Sequence, residues 1–377
     1  MQKYDVAAYI WPSYTQDEPK AKIFWEKGFG EWQSIMTADP MFKGHAWPRK
    51  PIWGYVNESD PYVMEMEINA AVDHGVNVFI YDWYWFDDAP FLEACIDNGF
   101  LKARNNEKMK FYLMWANHTA TLLWNKEVNT SYAEIWSGKH DRSRFENAVR
   151  RIIGYFKYPN YYKIDGKPVF MLYDVVNLIE GLGGLDKAKE ALDWMREETV
   201  KAGFPGLYIQ TQFGNPPYVI DGGKRTLSLE EMVKGLGIDG GTHYQMLCDV
   251  AHEGGMRPTF RDEIEITQKV WERTEKLPVD YFPHVSVGWD NTPRYKEMRY
   301  DDIDKGIMEA MIIDPATPDE VEEIMRKAKE YIDSHPSLPA PLITVNSWNE
   351  WTEGSYLEPD DMFGYGYLDA IKKVFCE

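Results

Sequence analysis

The stretch Pro341-Leu-Ile-Thr-Val-Asn-Ser-Trp-Asn-Glu-Trp-Thr-Glu-Gly-Ser-Tyr-Leu-Glu-Pro359 decides how the chain is read. Residues 342–345 are apolar and largely β-branched, the pattern of a strand buried on both faces, and they run straight into polar and aromatic residues. Along an extended chain Asn346, Trp348 and Glu350 share one side and Glu353 points to the other. A backbone turn between Trp351 and Gly354 instead brings the two glutamates, three residues apart, onto one face. Carboxyls held together beside tryptophans form a site where burial and like-charge repulsion raise one pKa while the other group stays ionised, as acid/base work on a sugar requires. The plainer alternative is a strand end with two solvated glutamates.

Seven strand-like segments precede this one. They are Val6-Ala-Ala-Tyr-Ile-Trp11, Val76-Asn-Val-Phe-Ile-Tyr-Asp82, Phe111-Tyr-Leu-Met-Trp115, Lys167-Pro-Val-Phe-Met-Leu-Tyr-Asp174, Leu207-Tyr-Ile-Gln-Thr-Gln212, a weak 238–244, and His284-Val-Ser-Val-Gly-Trp289. Helical spacing of apolar residues separates them at 61–74, 91–100, 145–156, 185–195, 229–236, 260–277 and 321–332, and 367–375 closes the chain. Such alternation demands parallel strands with crossover connections, and eight strands close naturally as a (β/α)8 TIM barrel. The expectation is one catalytic domain over residues 1–377 with long, aromatic-rich βα loops. A doubly wound sheet would show a Gly-rich first turn, and Tyr9-Ile-Trp-Pro-Ser has none.

A barrel puts its chemistry at the C-terminal strand ends. There the sequence offers Trp11, Asp82, Asn117, His118, Asp174, Gln212, His243, Tyr244, Trp289 and Asp290 beside Glu350 and Glu353. Tyr9, Trp83, Trp85, Trp115, Tyr173, Asn346, Trp348 and Trp351 complete the candidates for binding substrate. Each also has a plain reading as a core residue or structural acceptor.

Aromatics make up 15% of the chain, with 15 Trp and 24 Tyr, and flat rings are what pyranoses stack on. The formal charge of −20 argues against nucleic acid and favours a neutral oligo- or polysaccharide. Cys95, Cys248 and Cys376 are too few and too scattered for a disulfide framework or thiolate zinc site, and the eight His lack a His-Glu-x-x-His spacing. No metal or cofactor is expected. No apolar run approaches the ~18 residues of a membrane span. The N-terminus enters strand sequence at once, which fits a cytoplasmic protein or an exported one whose signal has been removed.

The motif at 346–359, with Tyr81-Asp-Trp-Tyr-Trp-Phe86 and Trp115-Ala-Asn117, resembles the WbsX-like proteins, relatives of glycoside hydrolase family 99, the endo-α-mannosidases and endo-α-mannanases. That resemblance implies a (β/α)8 barrel with an α-linked glycan in an open cleft. It also implies a Glu-x-x-Glu pair in which Glu353 is the acid/base and Glu350 takes the sugar's 2-hydroxyl proton, giving a 1,2-anhydro intermediate and retention. Where WbsX-like chains usually continue Trp-Ala-Asn with Glu, this one has His118-Thr-Ala-Thr, so mannose does not follow. Two further classes remain open, a polysaccharide-assembly glycosyltransferase and a non-catalytic carbohydrate-binding barrel. The first needs phosphate recognition, for which Asp302-Ile-Asp304 is a weak match and no Gly-rich cradle appears.

Overall fold

A computed structural model describes residues 3–16, 18–128, 133–214, 216–254, 258–296 and 312–377. Asp302 and Asp304 lie outside the described residues.

Nine strands form one continuous parallel path: β1 (Asp5–Ile10), β2 (Val78–Phe86), β3 (Lys110–Trp115), β4 (Lys167–Leu172), β5 (Tyr208–Gln212), β6 (Gly240–Thr242), β7 (Asp280–Tyr281), β8 (His284–Ser286) and β9 (Leu342–Asn346). Their spatial order is β7-β6-β5-β4-β3-β2-β1-β9-β8. The sheet curls, and its two end strands β7 and β8 are consecutive pieces of one segment separated only by Phe282 and Pro283. Across the interior, Tyr9 of β1 donates to the carbonyl of His243 at 3.0 Å, and the Thr242 and Thr344 hydroxyls meet at 2.6 Å.

The apolar runs explain these strands. All nine residues of β2 and all five of β9 are buried, as strands covered on both faces must be. Helices Arg142–Phe156, Leu185–Lys201, Phe260–Thr274 and Pro318–Ser334 each bury one apolar stripe, following the spacing in the sequence.

Three expectations change in detail. Residues 91–100 do not make an α-helix: Cys95–Gly99 is a wide π turn followed by a 3-10 turn at Phe100–Lys102. The expected seventh strand at 284–289 ends at Ser286 as β8, and a short unanticipated strand, β7, precedes it at Asp280–Tyr281. The weak sixth shrinks to Gly240–Thr242, where added Cβ atoms at Gly240 and Gly241 would lie 2.4 Å from the Tyr208 hydroxyl and 2.3 Å from Cζ of Phe213. Glycine is what lets those rings approach, and it is also what erased the strand signal. No helix among the described residues is long and apolar enough to cross a membrane.

Candidate active site

β9 ends at Asn346, and the chain does turn where Glu350 and Glu353 need it. Asn349–Glu350 pairs antiparallel with Ser355–Tyr356, and the loop between them is a 3-10 turn at Trp351–Glu353. Gly354 closes that turn at φ 64°. A Cβ there would also meet Asp290 Cβ at 2.9 Å and the Trp47 indole nitrogen at 3.1 Å. The turn places both glutamates on one cavity, whereas Trp348 leaves it, its indole donating to Glu67 at 3.1 Å.

The cavity, of about 230 Å³, is monosaccharide-sized and lined by Trp11, Asp82, His118, Tyr173, Tyr244, Glu350 and Glu353 from the sequence-predicted set. Tyr84, Met114, Ala116, Trp124 and Arg294 complete it, none of them anticipated. A second cavity of about 130 Å³, with Gln212 and Trp289 in its lining, shares Tyr173, Tyr244 and Glu353 with the first.

Arg294 governs the electrostatics. Its guanidinium donates to Glu353 at 2.5 Å, Glu350 at 3.4 Å and Glu31 at 3.0 Å. Glu31 also accepts from the Trp11 indole, which fixes that ring at the cavity wall. One cation thus faces three buried carboxyls, and charge balance there requires protons as well. Glu353 is raised well above the ordinary carboxylate range, first by burial and then by the Glu350 charge, with Arg294 opposing. Glu350 is raised by burial too, but Arg294 and the Tyr244 hydroxyl hold it down, and it is in side-chain contact with Glu353. The environments therefore separate a proton-holding Glu353 from a more readily ionised Glu350.

Asp82 is tied to this pair. The Tyr244 hydroxyl lies 2.6 Å from Glu350 and 3.0 Å from Asp82, yet a phenol has one hydrogen. Both contacts are satisfied when Tyr244 donates to Glu350 and a protonated Asp82 donates to Tyr244. Burial and the Glu350 charge push Asp82 well up, in keeping with that proton. Its other oxygen is buried without a partner among the described residues. His118 meets the Tyr84 hydroxyl at 3.3 Å, and burial lowers its pKa to about 4, leaving a neutral ring near pH 7.

The other candidates sit around the cavity rather than on it. Tyr9 is beneath, in edge contact with Tyr244 at 4.8 Å. The Trp83 indole donates to Glu93 at 2.6 Å and stacks on Trp85, while Trp115 stacks on His140 at 5.2 Å. Asn117 clamps the backbone of Asp174, donating to its carbonyl at 2.7 Å and accepting from its N–H at 2.8 Å. His243 meets the Tyr281 hydroxyl at 3.0 Å and burial lowers its pKa to about 3. Asp290 meets His45 at 2.7 Å and accepts from the Thr292 hydroxyl. Asn346 accepts from Gln245 at 3.3 Å, and Trp351 donates to Glu358 at 2.6 Å while stacking on Tyr356 at 3.8 Å.

Among solved structures, the fold is similar to a glycoside hydrolase-like protein, at TM-score 0.59 and 15% identity, covering 100% of this chain and 94% of that one. It is also similar to the GH99 endo-alpha-mannosidase from Bacteroides thetaiotaomicron, at TM-score 0.52 and 15% identity, covering 98% and 95%. Residues 6–371 match the family described as Glycosyltransferase WbsX, and the chain belongs to that family. A curated relative, the uncharacterized protein WxcX of Xanthomonas campestris pv. campestris, is 24% identical over 365 residues. The match takes in 94% of this chain and 47% of WxcX, so the chain spans about half the length of that relative.

Proposed function

We propose that residues 1–377 form a single glycan-processing domain on a complete (β/α)8 barrel, and that it is a glycoside hydrolase cleaving an α-linked glycan. The observation that carries this reading is the touching pair Glu350 and Glu353, buried, bridged by Arg294, and facing a ring-lined cavity of sugar size. Glu353, the carboxyl held protonated, donates to the leaving glycosidic oxygen. Glu350 takes the proton of the sugar's 2-hydroxyl, whose oxygen closes on C1 as the leaving group departs. Water then opens the resulting 1,2-anhydro sugar, and two inversions give net retention. Carboxyls in contact favour this course over inversion, which needs about 6.5–9.5 Å between them for a water. Tyr173, Tyr244, Trp11 and Trp124 supply ring faces, and Asp82 and neutral His118 supply hydroxyl partners.

The test is release of reducing sugar from a panel of plant, yeast and bacterial polysaccharides. Glu353→Gln is expected to lower kcat on the responsive substrate by ~10²–10⁴, the usual contribution of a positioned acid. Near-wild-type turnover in that variant on a poor leaving group would remove Glu353 from the reaction. The family's description favours a second reading, a glycosyltransferase, with Arg294 as the cation for a sugar-nucleotide phosphate. Calorimetric titration with nucleotide sugars separates the two, since a hydrolase of neutral glycan has no use for the phosphates.

A further inference from the structure

Beneath the turn that carries Glu350 and Glu353 lies a second group of acids that the proposed chemistry does not use. Glu58, from the loop before helix Pro61–Asp73, Glu67, from that helix, and Glu358, from the end of the 346–359 motif, are all buried. One carboxylate oxygen from each lies within 4.8 Å of the other two.

The surrounding donors hold the carboxyls in place without satisfying them. Asn349 donates its amide to both oxygens of Glu58, at 2.9 and 3.0 Å, with the Cys95 thiol beside it at 3.6 Å. Glu67 and Glu358 each spend one oxygen on an indole, from Trp348 and Trp351, and each keeps a second oxygen that is fully buried with no partner among the described residues. Among the described residues no cationic side chain acts on any of the three, and the neighbouring titratable groups are one another, Cys95 and Tyr81. Ionised without a counter-charge, three converging buried carboxyls would be among the costliest arrangements in a protein core, and burial raises the pKa of each, Glu358 to about 8.

We infer that Glu58, Glu67 and Glu358 bind one hard divalent cation, with Ca²⁺ the best match. Carboxylate oxygens separated by up to 4.8 Å span the ~2.3–2.6 Å bonds of Ca²⁺, and an all-oxygen donor set selects hard cations over zinc or copper. The two unpartnered oxygens and at least one from Glu58 are the first ligands. The Trp348, Trp351 and Asn349 donors fix their orientation from behind, as outer partners of metal ligands do. Such an ion ties the 346–359 motif to the loop and helix at 58–67. It lies outside the cavity and takes no part in bond cleavage, so the inference stands whether the domain proves to be a hydrolase or a transferase.

The experiment is elemental analysis of the purified protein, followed by thermal unfolding of EDTA-treated protein with Ca²⁺, Mg²⁺ or Mn²⁺ added singly. One equivalent of metal per chain is expected, with Ca²⁺ restoring a Tm lowered on the order of 5 °C by its removal. Glu67→Gln/Glu358→Gln, which keeps shape and removes the charges, is expected to fold without metal and to lose the Ca²⁺-dependent shift. If that double variant fails to fold, calorimetric stoichiometry on the EDTA-treated wild type decides alone. Metal-free protein whose Tm ignores all three cations overturns the assignment. So does an undiminished shift in the folded double variant, which would place binding on the acidic surface; a larger response to Mn²⁺ or Mg²⁺ keeps the site and replaces Ca²⁺ as its occupant.

Discussion

At the scale of single residues, Arg294 sets the protonation of the candidate acid/base pair without belonging to the 346–359 motif. It is the counter-charge that lowers both Glu350 and Glu353 against burial. Removing it raises both carboxyls, so the acidic limb of kcat/KM, set by ionisation of Glu350, moves to higher pH. Arg294→Met is therefore expected to shift that limb upward by ~1 unit or more, the size of effect an opposite charge at contact distance exerts on a carboxyl. Arg294→Lys keeps a charge but loses the fork that reaches three acids, and is expected to restore the limb only in part. A limb unmoved in Arg294→Met would detach the guanidinium from the titration. Leaving Glu31 uncompensated also costs stability, so the pH profile and not the specific activity is the decisive readout.

At the scale of elements, the turn and the helices around it make opposite predictions. Gly354 sits at φ 64° with Asp290 and Trp47 closed over it. Gly354→Ala adds left-handed strain and a clash with backbone, so a loss of ~1–3 kcal/mol in urea unfolding should accompany a fall in activity as Glu353 moves. Thr317 instead caps helix Pro318–Ser334 through a reciprocal box with Glu320. Thr317→Ala should cost ~1 kcal/mol and leave kcat unchanged, because that helix packs outside the site. The sequence revealed elements to the extent that periodicity did. The apolar runs of β2 and β9 were plain, and a turn between Trp351 and Gly354 was one of the two readings that the Glu-x-x-Glu spacing offered. The two glycines of β6 carry no side chain to read, and the π turn at Cys95–Gly99 mimics helical spacing while its backbone departs from an α-helix.

At the scale of the whole molecule, what the sequence left hidden is long-range meeting. Glu31, Arg294 and Glu353 share one ion network across more than 300 positions, and Glu58, Glu67 and Glu358 converge in the same way; no spacing rule links such residues. Trp83 and Trp115, candidates for binding sugar from their positions at strand ends, alternate to the outer face, where other elements cover them, and Trp348, beyond the end of β9, turns away toward Glu67. The same global burial gives a stability prediction at Glu263, inside helix Phe260–Thr274. It is 1% exposed, neither oxygen has a partner among the described residues, and burial alone pushes its carboxyl from 4.5 up to about 8. The folded chain then keeps a proton that the unfolded chain gives up above about pH 4.5. Stability from this group is complete below that pH and is lost as pH rises to about 8, at ~1.4 kcal/mol per unit. Glu263→Met removes the titrating group while filling similar space. Urea unfolding of both proteins from pH 5 to pH 9 should show the variant gaining steadily on the wild type as pH rises, and levelling off above about pH 8. Parallel curves across that range would mean the carboxyl is ionised and compensated in the folded chain.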